Sequence, residues 1–150
     1  MNLKKNIVWV VILLLIICFG YYFYPKNKLN LEKINISIND QRYSLWVADN
    51  ESERSYGLQN IQKLKNNQGM IFIFESPKFV KFWNKNTLID LALLWIKDGT
   101  IIGVDRLSKQ NGEGTVTIPS PDSIESVIEL NQNQINRNNI KVGDKLIILK

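Results

Sequence analysis

Hydrophobic and polar positions divide the chain into one long apolar run near its N-terminus and a series of short segments after it. From Ile7 to Phe23, 17 residues pass without a charge. As a helix rising about 1.5 Å per residue this run reaches roughly 26 Å, slightly less than a hydrocarbon core of about 30 Å. Tyr21, Tyr22 and Tyr24 suit an aromatic belt at a bilayer surface, and Pro25 stops the helix. The pattern predicts a cytoplasmic N-terminus over residues 1–6, a single transmembrane anchor over 7–24, a linker over 25–33 and an extracytoplasmic domain over 34–150. Lys4 and Lys5 favour that orientation, while Lys26 and Lys28 on the far side soften it. An uncleaved anchor is preferred to a signal peptide because the run ends in tyrosines, not in a small-x-small cleavage site. A lipoprotein signal would use Cys18, but Ile17 stands where a small residue is expected.

Beyond the linker the period changes to two. Ile34–Ile38 alternates cleanly and Tyr43–Val47 more loosely, with Asn39-Asp40 suited to a tight hairpin between them. Asn50 fits an N-cap with Glu53 three residues on, and Gly57 supplies a left-handed end, predicting a helix of about two turns. Met70–Phe74 reads as a strand buried on both faces and ended by Pro77. Over Phe79–Lys85 alternation puts Phe79, Lys81, Trp83 and Lys85 on one side and Val80, Phe82 and Asn84 on the other. Leu91–Ile96 and Thr100–Val104 flank Asp98-Gly99, a strong hairpin signal. Val116–Ile118 and Lys145–Leu149 read as short strands, Ile124–Leu130 as strand or helix, and Asn131–Asn139 as a polar loop or short helix. The expectation is a mainly β domain, a compact β-sandwich or barrel with one or two short helices.

Charge and residue usage narrow the chemistry. Four of the 19 basic residues (Lys4, Lys5, Lys26 and Lys28) flank the apolar run, leaving 15 against 14 acidic residues in the remainder. Four of the five formal positive charges therefore belong to the predicted anchor's flanks, the remainder carries a net of +1, and nucleic acid is not an expected partner. One cysteine and no histidine exclude disulfides, Cys/His zinc sites and His-based catalysis. No metal site and no cofactor are expected. Carboxylate, lysine, hydroxyl and tyrosine chemistry remain.

Five motifs in order carry a family resemblance: Glu53-Arg54 with Gly57-Leu58; Gly69-Met70-Ile71-Phe72-Ile73-Phe74; Phe82-Trp83-Asn84-Lys85-Asn86-Thr87; Ile128-Glu129-Leu130; and Ile140-Lys141-Val142-Gly143-Asp144. Together they resemble the family called domain of unknown function 192 over roughly Tyr43 to Ile148. The resemblance implies a compact, jelly-roll-like β domain, often behind a signal or anchor segment, with no established activity. This chain departs from the family pattern at Asn84, where Met is usual, and at Gln59, again in place of Met. Ala92 replaces the Asp of a Pro-Leu-Asp triplet, and Asn133 and Asn139 replace glycines, which Asn can stand in for in a left-handed backbone.

The candidate ligand-binding residues are Trp83, Lys85, Asn86, Thr87, Arg54 and Glu129. Each also has a plain structural role: an ion pair for Arg54, a turn cap for Asn86 and Thr87, core packing for Trp83. Glu129 lies in an apolar run, where an unpaired carboxylate is costly, so Lys85 or Arg54 is expected beside it. The reading preferred from these residues is a non-catalytic, membrane-anchored binding module for an envelope ligand, either a glycan or a protein. The alternative is a hydrolase of envelope polymers using Glu129 or Asp90 with Lys85, which requires the two carboxylates to meet.

Overall fold

A computed structural model describes residues 31–112 and 114–149. The expected N-terminus over 1–6, the anchor over 7–24 and residues 25–30 of the linker lie outside the described residues. Among the described residues, no helix is long and apolar enough to cross a membrane.

The chain forms β1 (Lys33–Ile38), β2 (Gln41–Ala48), α1 (Glu51–Tyr56), β3 (Gln68–Lys78), β4 (Lys81–Trp83), β5 (Leu91–Lys97), β6 (Thr100–Leu107), β7 (Thr117–Pro119), β8 (Ile124–Asn131), α2 (Asn133–Arg137) and β9 (Ile147–Leu149). Seven strands make one sheet in the order β6-β5-β8-β3-β2-β1-β9, and β4 and β7 pair as a separate ribbon. All pairs are antiparallel except β2 with β3, whose parallel crossover carries α1.

The expectation of a sandwich or barrel holds only as mainly β: the sheet does not close. No ladder joins edge strands β6 and β9. The start of β6 meets the turn before β9, where Thr100 bridges Lys145, Leu146 N–H donates to Gly99 carbonyl at 2.9 Å, Ile101 N–H to Asp144 carbonyl at 2.9 Å and Gly143 N–H to Ile101 carbonyl at 2.8 Å. The result is a curled, open sheet with its two faces separately covered. On one face Ile71, Leu94, Ile96, Ile128 and Leu130 pack with Ile36, Ile38 and Ile140. On the other, Met70, Phe72, Leu91, Leu93, Trp95 and Val127 pack with Leu58 and Leu64 from the stretch after α1.

Burial on both faces explains why β5 and β8 carry no alternation: Leu91 through Ile96 are all buried, as are Ser126 through Leu130. It also settles Ile124–Leu130 as a strand. Both hairpins form at the expected residues, with Asn39, Asp40, Asp98 and Gly99 all at positive φ. Two expectations at β3 and β4 need correction. Pro77 does not end β3, because ladder pairing lapses between Ile73 and Lys78 and no partner there needs its missing N–H. The aromatic strand is only Lys81–Trp83, since Asn86 takes a positive φ and turns the chain.

The Asn substitutions behave differently from one another. Asn139 has φ 48°, the left-handed backbone expected of it, whereas Asn133 opens helix α2 and needs none.

Candidate functional site

The local order of α1 fixes one wall of a cavity. Asn50 Oδ1 accepts from Glu53 N–H at 3.0 Å, and Gly57 (φ 53°) ends the helix by donating to Glu53 carbonyl at 2.8 Å. The short helix presents Arg54 towards β3, where its guanidinium donates to the carbonyls of Asp49 and Ile73, the latter at 2.9 Å. The β4 strand forms the opposite wall. Phe82 turns inward and meets Phe72 and Trp95 edge to face at centroid distances of 4.8 and 5.6 Å. Its neighbour Trp83 points outward and is half exposed.

Between these walls opens a cavity of about 580 Å³, lined among others by Arg54, Phe72, Phe82, Trp83, Lys85 and Glu129. Thr87 also reaches it. Five of the six residues singled out in the sequence therefore converge on one space. Asn86 does not line it. Its backbone N–H donates to Gln110 and its side-chain amide to Gln59 at 3.1 Å, so it shapes the turn carrying Lys85 and Thr87. Thr87 N–H closes that turn onto Asn84 carbonyl at 3.1 Å.

Glu129 is set deep in this cavity. Register places Met70 of β3 on one side of it and Leu93 of β5 on the other, both apolar and buried. Only 4% of Glu129 is exposed, and its carboxyl makes no hydrogen bond or ion pair among the described residues. Burial pushes its pKa up to about 8, because the low-polarity surroundings penalise the charged form. At neutral pH the group is mostly a carboxylic acid, able to donate a hydrogen bond. The expected ion pair with Lys85 or Arg54 is not formed.

The cations stay at the mouth. Arg54 and Lys78 lie over the Phe74 ring at 5.5 and 4.9 Å from its centroid, and Lys85 lies 5.9 Å from that of Trp83. Lys81 lines the same opening. Among the described residues none of these four has a carboxylate within ion-pair distance.

The second carboxylate needed for paired-acid chemistry is elsewhere. Asp90 accepts from Lys109 backbone N–H at 3.0 Å and from Arg106 at 2.9 Å, which hold its pKa below the usual carboxylate range. Asp90 is not part of the cavity wall. Ala92 is fully buried opposite Leu130, on the sheet face away from Glu129, so an Asp there would not complete the pair either. Among the described residues no three acidic side chains gather as a metal site would require.

Asn84 is a residue whose role the sequence concealed. It is buried, donates to Ser108 carbonyl at 3.0 Å and accepts from Val116 N–H at 2.7 Å, tying the β4–β7 ribbon to the loop after β6. A polar residue inside an aromatic motif was the available signal.

The fold and motif order define a class of small, open-sheet β domain. Residues 34–148 match the family domain of unknown function 192, described as Uncharacterized ACR, and the chain belongs to that family. Among solved structures it is similar to a protein from Sinorhizobium meliloti described as a candidate transcription regulator. The two share 26% identity with a TM-score of 0.73 over 81% of this chain and 98% of that one. It is also similar to a protein of unknown function from Novosphingobium aromaticivorans at 25% identity and a TM-score of 0.68, covering 82% and 89% of the two chains. Among curated proteins no relative matches this chain.

Proposed function

We propose that this chain is a non-catalytic binding module held at the outer face of a membrane by residues 7–24, with its ligand taken from the cell envelope into the cavity beneath Trp83. The observation that carries the binding reading is the meeting of Arg54, Trp83, Lys85, Thr87 and Glu129 around one space from three separate stretches of chain. A mixed aromatic and polar lining of this size is what small-ligand sites have in common. The uncharged run Ile7–Phe23 with its flanking lysines supports the anchor.

A hydrolase of envelope polymers is the second reading, and one observation favours it. A carboxyl protonated near neutral pH is suited to general acid catalysis, and Lys85 lines the same cavity as Glu129. Against it, Asp90 is committed to Arg106 and Lys109, and among the described residues Glu51 is the only other acid on the cavity wall.

The test uses the full chain extracted from membranes. Intact mass should equal that of the whole sequence; loss of about two dozen N-terminal residues would refute an uncleaved anchor. Capture from envelope fractions should succeed with the natural chain and fail with Trp83→Ala/Lys85→Ala. Hydrolysis of an envelope polymer abolished by Glu129→Gln would transfer the case to the enzyme.

A further inference from the structure

The wall of the Trp83 cavity is unbalanced in charge. Among the described residues its Lys, Arg, Asp and Glu side chains are Arg54, Lys78, Lys81 and Lys85 against Glu51 and Glu129. Glu51 is exposed in the first turn of α1, and Glu129 lies in the depths. Three of the cations rest over aromatic faces, which orient them without neutralising them. A concave site lined by one sign of charge concentrates ligands of the opposite sign.

Glu129 supplies a second, independent observation. A carboxyl on a residue only 4% exposed, flanked by Met70 and Leu93 and bonded to no group among the described residues, keeps its hydrogen-bonding capacity free towards the cavity. A ligand oxygen seated against it would supply the hydrogen-bond partner that the protein does not. An apolar occupant would leave both the acid and the cations unmet, and a cationic occupant would be repelled at the mouth.

Resting on the binding-module reading above, we propose that the cavity selects an anionic sugar unit, one carrying a carboxylate or phosphate. Its anion lies at the Lys81–Lys85 side of the mouth, its ring against Trp83 and Phe82, and one of its oxygens accepts a hydrogen bond from the Glu129 carboxyl. The volume of about 580 Å³ falls within the range of small-ligand sites and holds a monosaccharide unit. The aromatic surface offers the ring a stacking partner, and Thr87 and Gln59 on the wall add hydrogen-bonding capacity for hydroxyls. The protonated state of Glu129 near neutral pH fits this role, since an ionised carboxylate in the depths would oppose an anionic guest.

Titration calorimetry on the full chain in detergent tests the assignment with methyl glucuronide, glucose 1-phosphate, methyl glucoside and inorganic phosphate as probes. The expected result is that both anionic sugars bind at least about tenfold more tightly than either the neutral glucoside or inorganic phosphate. Lys85→Ala and Lys81→Ala should each weaken the anionic sugars severalfold and leave the glucoside unchanged. Binding should fall as pH rises past about 8 in the natural chain and persist in Glu129→Gln, which keeps a donor there. Equal binding of the glucoside overturns anion selection, and equal binding of inorganic phosphate overturns the role of the ring. Both results leave a binding module standing. Failure of every probe, with an envelope protein still captured through Trp83 and Lys85, likewise overturns the inference alone. Failure of all binding and capture overturns both.

Discussion

Glu129 of β8 stands directly opposite Leu93 of β5, so this buried carboxyl is flanked by apolar groups and, among the described residues, by no counter-ion. The consequence is measurable without any ligand. Its pKa of about 8 lies above the ordinary glutamate value of 4.5, so the folded state holds a proton that the unfolded chain releases between those limits. Folding stability from this group is fully present below about pH 4.5 and declines as pH rises towards about 8. The decline is on the order of 5 kcal/mol for a rise from 4.5 to about 8. Glu129→Gln should flatten that slope and leave the protein more stable than the natural chain at pH 9, read from urea midpoints across the range. Superimposable pH profiles for the two proteins would refute the burial account.

Phe82 and Trp83 are neighbours with opposite duties. Phe82→Ala removes the ring wedged between Phe72 and Trp95 and should cost about 2–4 kcal/mol, seen as a fall in Tm of at least several degrees. Trp83→Ala/Lys85→Ala removes outward side chains and should leave Tm within a few degrees while ligand or partner capture disappears. Equal loss of stability in both proteins would make the whole motif core.

Gly69 permits the approach of β3 to β8. A Cβ at that position would stand 2.2 Å from Glu129 carbonyl oxygen and 2.7 Å from the Leu130 side chain. Backbone cannot yield there without parting the two central strands. Gly69→Ala should therefore cost more than about 3 kcal/mol or prevent folding, as judged by circular dichroism and solubility.

Asn84→Ala should cost about 2 kcal/mol, because it strands Val116 N–H and Ser108 carbonyl together. Asn84→Met, the residue usual in the family at this position, should not recover that loss, since a thioether replaces neither bond. Full stability of the Met variant in chemical denaturation would show that the loop after β6 holds itself in place.

Much of the fold was legible in local pattern. The two hairpins follow from Asn39-Asp40 and Asp98-Gly99, residues that tolerate positive φ, and α1 follows from Asn50, Glu53 and Gly57. Convergence of Arg54, Trp83, Lys85, Thr87 and Glu129 followed the motifs that carry the family resemblance, and Asn86 alone stood aside. What misled were features whose meaning depends on neighbours. Pro77 breaks a strand only where a ladder partner demands its N–H, and here none does.

The sequence by itself determined the uncharged N-terminal run, the mainly β character and the turns, because each depends on residues close together in the chain. Only the tertiary structure decided that the sheet stays open, that Asp90 turns to Arg106, and that Glu129 meets Met70 and Leu93 instead of a lysine. Strand order and register determine which side chains face one another across tens of residues. A carboxyl's charge at neutral pH depends on those neighbours, not on its place in the chain.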